Sequence, residues 1–220
     1  MRIGILGSGL IGGKLGIVLG RAGHEVIFSY SRTREKLEDL ATDAGESSKP
    51  GSPAEAAHAD AVLLAVHWTR VDDVLAQAGS LKGKTVLTCS LPMSQDDSHL
   101  VIGHTSSGAE ALAAKLPEAH VVSAFGTVPS EVLFPVFERR GKGTPPDLVY
   151  CGDQAAAKKT AARLIRDVGF HPVDLGPLSM ARYAEPFSLL AAQLAYNGEN
   201  GPELAYRFEH FGTKGTKREQ

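Results

Sequence analysis

Six residues near the start of the chain, Gly7-Ser8-Gly9-Leu10-Ile11-Gly12, stand at the spacing Gly-x-Gly-x-x-Gly. The apolar run Ile3 to Leu6 precedes them, and Leu10, Ile11, Leu15, Val18 and Leu19 follow at helical spacing. Strand, tight turn and helix therefore come in the order a dinucleotide site requires. In such a site the first glycine permits the turn and the second lets backbone approach a pyrophosphate. The third lets helix pack on strand, with the helix N-terminus facing the anion. No side-chain charge is needed at that point.

A second strand, His24 to Tyr30, ends where the ribose of a bound dinucleotide would lie. Selectivity for NAD calls for Asp or Glu there, to accept from the 2′-hydroxyl. This chain instead reads Ser29-Tyr30-Ser31-Arg32-Thr33-Arg34-Glu35-Lys36. Ser31 can donate a hydroxyl proton, Arg32 offers a planar fork, and Lys36 follows one helical turn on, a set that suits a 2′-phosphate dianion. The ending therefore predicts NADP(H). The plainer alternative is that Arg32, Arg34 and Lys36 are the solvated start of a helix.

The elements that must position these groups alternate along the chain. Residues 33 to 43 read as a helix, Gly45 to Pro53 holds a short third strand, and Pro53 opens another helix. The apolar run Ala61 to Val66 has the look of a strand buried on both faces. It ends in His67-Trp68-Thr69, at the sheet edge where parallel α/β proteins bind ligands. His67 has packing as its ordinary role and acid/base work as its rival. Further strands are expected at Lys84 to Cys89, His120 to Phe125, Asp147 to Cys151 and His171 to Leu175, with helices between them. Gly126-Thr127-Val128-Pro129 follows the sixth strand; Gly126 can turn the chain, clear room for a flat ring, or do both, and this loop is the expected substrate side. The fold class is α/β: a Rossmann-type doubly wound, mostly parallel sheet with a C-terminal helical segment (about 177–211) packed on it, residues 1–220 forming a single unit.

Composition narrows the partners. The net charge is -2, from 23 basic and 25 acidic residues, which gives no reason to expect nucleic acid or an anionic membrane, and Lys214, Lys217 and Arg218 near the C-terminus are too few to alter that. No apolar stretch approaches the ~20 residues of a membrane span, and residence in the cytoplasm is the expectation. Cys89 and Cys151 both lie in apolar runs and read as small buried hydrophobes. Asp96-Asp97-Ser98-His99 reads as a solvated loop in preference to a metal site, and no metal is expected. Arg139 to Pro146 is a basic, Gly/Pro-rich loop. The helix Ser179 to Tyr196 is expected to kink at Pro186, and its high apolar content means that it either covers the sheet or pairs with a second copy.

Several features together narrow the choice: the Gly7 to Gly12 turn, Ser31-Arg32 with Lys36 behind it, Val122-Ser123-Ala124 before Thr127-Val128-Pro129, Cys151-Gly152-Asp153, and Gly176-Pro177-Leu178-Ser179 followed by Arg182 and Glu185. With these the chain resembles the NADPH-dependent coenzyme F420 reductases, also called F420-dependent NADP oxidoreductases, from Met1 to about Phe211. The resemblance implies that Ser8 to Ile11, Ser31, Arg32 and Lys36 bind NADP. It implies also that Val66, His67 and Trp68, together with Ala124 to Ser130, flank the nicotinamide and the acceptor ring. A homodimer is implied as well. Gly126 departs from the family, whose members often carry His or Asn there, and so a wider acceptor pocket is expected.

Hydride transfer to coenzyme F420 or a similar planar acceptor requires two rings held face to face, with no catalytic side chain and no metal. The alternatives are reduction of a flavin, quinone, ferric chelate or small imine or carbonyl, for which His67 would be the proton donor, or a non-catalytic NADP(H) sensor.

Overall fold

A computed structural model describes residues 1–212, so Lys214, Lys217 and Arg218 lie outside the described residues. Eight strands form one sheet in the order β3-β2-β1-β4-β5-β6-β7-β8. They are β1 (Arg2–Leu6), β2 (Glu25–Ser29), β3 (Lys49–Pro50), β4 (Ala61–Leu64), β5 (Thr85–Thr88), β6 (His120–Ser123), β7 (Asp147–Gly152) and β8 (His171–Asp174). Every neighbouring pair is parallel except β6 and β7. The helices are α1 (Leu10–Arg21), α2 (Arg34–Ala44), α3 (Pro53–Ala57), α4 (Val71–Ala78), α5 (Gly108–Lys115), α6 (Leu133–Glu138), α7 (Ala155–Val168) and α8 (Ala181–Tyr196). The fold is the doubly wound Rossmann type expected from the sequence.

Side-chain alternation along the central strands builds two apolar layers. Ala61 and Leu63 point into the layer under α1, α2 and α7, while Val62 and Leu64 point into the one under α3, α4 and α5. The rows of partners Leu6–Leu64–Thr88–Ser123 and Leu6–Ser29 bring five strand ends to one level. Beyond that level pairing stops, so Ala65, Val66, Ala124 and Phe125, which apolar type alone assigns to strands, belong to the loops that follow. Those loops share one edge and make the site.

The apolar face assigned to α1 needs correction. Leu15, Val18 and Leu19 are buried, but Leu10 is 72% exposed and Ile11 only partly covered, because both stand on the open N-terminal turn of the helix. α8 runs through Pro186 as one helix and leaves Tyr183, Leu190 and Leu194 exposed. Among the described residues no helix is long and apolar enough to cross a membrane, and no group of three or more His, Cys, Asp or Glu could hold a metal ion.

Candidate functional site

The turn from β1 into α1 has three glycines with three distinct reasons. Gly7 adopts φ +114°, and a Cβ there would lie 2.4 Å from the Ala65 carbonyl oxygen. A Cβ on Gly12 would lie 1.9 Å from the Gly7 carbonyl oxygen. Both are demanded by the protein itself. Gly9 is different: it has φ −78°, open to any residue, and a Cβ there would meet nothing within 4 Å. As N-cap it makes no side-chain cap bond, so the first N–H groups of α1 face open space with the positive end of the helix dipole behind them. That is a fit for a pyrophosphate held by backbone alone. Ser8 sits inside the turn, 3% exposed, and its hydroxyl donates to the Ser29 carbonyl at 2.9 Å, so the side chain fastens β1 to β2 and only its neighbours face outward.

At the end of β2, Tyr30 takes φ +58° and the chain opens a cavity of about 720 Å³. Ser31, Arg32 and Arg34 line one wall and Arg70, from the 3₁₀ turn Trp68–Arg70, lines it too. The two carboxylates in this lining are already engaged. Glu55 accepts from the Ser52 backbone N–H at 2.7 Å, and Asp73 accepts the Tyr30 hydroxyl proton, which holds the Asp73 carboxyl below its ordinary value. Arg34 pairs with Glu38, whereas Arg32 and Arg70 have no carboxylate partner among the described residues. Lys36 does not line this cavity. Its backbone N–H donates to the Thr33 hydroxyl as part of the α2 cap, so the helix position the sequence offered for a third cation is filled by Arg70 from another element.

A second opening, a groove of about 610 Å³, gathers the strand-end loops. Gly9, Leu10 and Ile11 of the turn meet Val66, His67, Gly126, Thr127, Val128 and Ser130 here. Of the residues expected at this site, Trp68 and Ala124 are not brought in: Trp68 packs on the apolar layer under α4, and Ala124 is buried beneath its loop. Residues that sequence reasoning missed complete the walls, namely Leu91, Met93 and Asp97 after β5, and Ser188, Leu189, Ala191 and Ala192 of α8 with Tyr196.

The polar groups of the groove are held in place. His67 Nδ1 accepts the Thr69 N–H at 3.3 Å, so its proton is on Nε2, donated to Asp97 Oδ1 at 3.1 Å. Both ring nitrogens are thereby used. Tyr206 Oη accepts from the Val149 N–H at 3.1 Å and shares a hydrogen bond of 2.8 Å with Thr127 Oγ1, in which either hydroxyl can donate. Lys14 Nζ donates to Ser130 Oγ at 3.1 Å, and Tyr196 Oη donates to Glu131 Oε2 at 2.9 Å, which ties the loop to α1 on one side and α8 on the other. Cys89 and Cys151 are buried and their thiols are pushed up to about 12 by that burial, so neither is a nucleophile. Gly126 is not the turning residue. The left-handed conformation belongs to Phe125, φ +65°, and a Cβ on Gly126 would make ordinary contact with Leu91 at 3.4 Å.

The Gly176 to Glu185 element, the most specific part of the family resemblance, clamps α8 to α5. Arg182 forms a bidentate pair with Glu110, Nη2 to Oε1 at 2.7 Å and Nε to Oε2 at 2.9 Å. Glu185, 3% exposed, accepts the Gly108 and Ala109 N–H groups at 2.8 and 2.9 Å. Burial nevertheless lifts its carboxyl from the ordinary 4.5 to about 7. Between those values the folded chain keeps a proton that the unfolded chain has released, so this group lowers stability as pH rises through that window. In Glu185→Gln an amide NH2 must face one of the two N–H donors, a loss of about 1–3 kcal/mol. Chemical denaturation across that pH range should show a lower midpoint for the variant and a flatter pH dependence.

With this geometry in view, the chain can be compared with known proteins. Residues 2–92 match the family described as NADP oxidoreductase, coenzyme F420-dependent. The resemblance drawn from the turn and from Ser31-Arg32 is borne out over that span, which runs from β1 through β5. The metalloreductase STEAP3 of Rattus norvegicus is 28% identical over 191 residues, 86% of this chain and 36% of the relative, so this chain spans about a third of that curated protein. A crystal structure from Arthrobacter sp. FB24, provisionally named an F420-dependent NADP-reductase, superposes with TM-score 0.83 at 24% identity over 96% of this chain and all of its own. The hypothetical protein SMa0349 of Sinorhizobium meliloti gives TM-score 0.73 at 27% identity, over 95% of this chain and 96% of its own. These two structures share the fold that carries the groove.

Proposed function

We propose that this chain transfers a hydride between NADP(H) and a planar acceptor of the coenzyme F420 kind. The observation that carries the reading is the division of labour along one sheet edge: an uncapped helix start above Gly9, a cationic cavity at Ser31 and Arg32, and a largely apolar groove between the two halves of the molecule. When bound, the dinucleotide supplies the hydride and the second ring takes it. The chain's residues orient both. Gly9 to Ile11 hold the pyrophosphate, Arg32 with Ser31 and Arg70 grips the 2′-phosphate, and Val66, Val128 and the α8 residues keep water from the rings. Gly126 leaves the acceptor side wide.

Mixing the protein with NADPH and coenzyme F420 in a stopped-flow absorbance experiment should show the two spectra exchanging in equal amounts. Binding of both without exchange would refute the proposal. The metalloreductase name of the rat relative and the wide acceptor side favour a second reading, reduction of a flavin or ferric chelate, and a parallel panel of those acceptors separates the two. For an imine or carbonyl acceptor a proton donor is required. His67, with both nitrogens engaged, is poorly disposed to serve, and His67→Ala should leave the rate with a planar acceptor within about threefold, well short of the ~100-fold that general acid catalysis supplies.

A further inference from the structure

We propose that the cavity bounded by the Arg139 to Pro146 loop is a binding site for a small polyanion, a molecule with two or more phosphate or carboxylate groups, separate from the dinucleotide site. The cavity holds about 820 Å³ between the end of α6, the end of α7 and the segment Glu203 to Arg207. Arg139, Arg140, Lys142, Arg166 and Arg207 line it, against one carboxylate, Glu203. In a chain whose net charge is -2, that concentration of positive charge is local and uncompensated. Among the described residues none of these five cations forms an ion pair, whereas eight Lys and Arg residues elsewhere do.

Two of the guanidinium groups are oriented without being neutralised. Arg140 lies over the Phe137 ring at 3.6 Å and donates through Nη1 to the Asp167 carbonyl at 2.7 Å. Arg207 donates through Nη2 to the Thr144 carbonyl at 2.7 Å. Neutral carbonyls fix the forks and leave their charge for a ligand, which is the arrangement that makes planar recognition of phosphate or carboxylate favourable. The cations are exposed, and a single exposed ion pair in water is worth little. The ligand must therefore engage several at once, which selects a polyanion over a lone phosphate. None of the residues of this cavity is among those that line the Ser31–Arg32 cavity.

Isothermal titration of the full chain with tripolyphosphate and with citrate, at low and at near-physiological salt, tests this. With the dinucleotide site first saturated with NADP, the expected result is one site per chain that weakens with salt, and that weakens about tenfold in Arg139→Ala/Arg166→Ala, a change of two exposed charge contacts. Both side chains are exposed, and thermal melts of the double variant, with Lys142→Glu as a second variant, confirm that the fold is intact. Arg32→Ala should bind the probes as the wild type does. Unchanged affinity in the double variant and in Lys142→Glu, or no heat of binding in the wild type, overturns the proposal. So does loss of binding in Arg32→Ala, which would put the probe in the dinucleotide site, and so does tighter binding of a random duplex oligonucleotide, which would make the surface one for nucleic acid.

Discussion

Arg32→Ala should weaken NADPH by about 1.5–3 kcal/mol, roughly 10- to 150-fold, and leave NADH nearly unchanged. The number is that of a hydrogen-bonded charge contact, and the selectivity follows because only NADPH places a dianion at the end of β2. Ser31 and Arg70 remain in the variant, so some preference for NADPH should survive. Removing Arg70 as well should abolish it, since the carboxylates of that cavity are tied to Ser52 and Tyr30 and offer nothing to a free 2′-hydroxyl. Fluorescence titration of the wild type and both variants with each dinucleotide measures the affinities. An equal loss for NADPH and NADH would mean that Arg32 acts on the shape of the loop and not on the phosphate.

What was legible in the sequence is what local chemistry determines. The Gly-x-Gly-x-x-Gly turn, the missing acid after β2 and the buried strand before His67 each depend on residues a few positions apart and are found there, although that strand stops at Leu64 and Ala65 and Val66 already belong to the loop. Leu10 and Ile11 were misleading because an apolar residue on the first turn of a helix has the same spacing whether it faces the core or a ligand. The Ser8 hydroxyl's bond to the Ser29 carbonyl joins residues 21 positions apart, and nothing local announces it. Turning the chain after β6 was one of two uses open to Gly126, the residue type that tolerates a left-handed conformation, while the chain puts that conformation on Phe125, held there by complete burial. Arg70, Asp97 and the α8 wall were out of reach altogether. They come to the site from elements dozens of residues away, and no pattern within their own segments records the neighbour they will meet. The Arg182–Glu110 and Glu185–α5 clamp shows the reverse case: the residues were singled out as family marks, but their work, holding α8 over the groove, emerges only from their partners.

Replacing Gly9 by Ala and then Val should separate binding from folding more sharply than any other substitution in the chain. A Cβ at this position meets no protein atom within 4 Å and the backbone conformation suits any residue, so each variant should fold with a loss no larger than about 1 kcal/mol, the scale of a weaker N-cap. The same Cβ occupies the space over the first N–H groups of α1. A pyrophosphate displaced from them loses charge-assisted hydrogen bonds of about 1.5–3 kcal/mol, and steric overlap adds about 1–3 kcal/mol. NADPH affinity should therefore fall on the order of 100-fold or more in Gly9→Val and by less in Gly9→Ala, with NADH affected to the same degree because both share the pyrophosphate. Gly12→Val provides the contrast: its Cβ would lie 1.9 Å from the Gly7 carbonyl oxygen, so it should lower the melting temperature before any ligand is added. Thermal melts beside dinucleotide titrations distinguish the two positions. If Gly9→Val binds NADPH as the wild type does, the open space above the helix start is not where the dinucleotide lies, and the assignment of Arg32 to its 2′-phosphate fails with it.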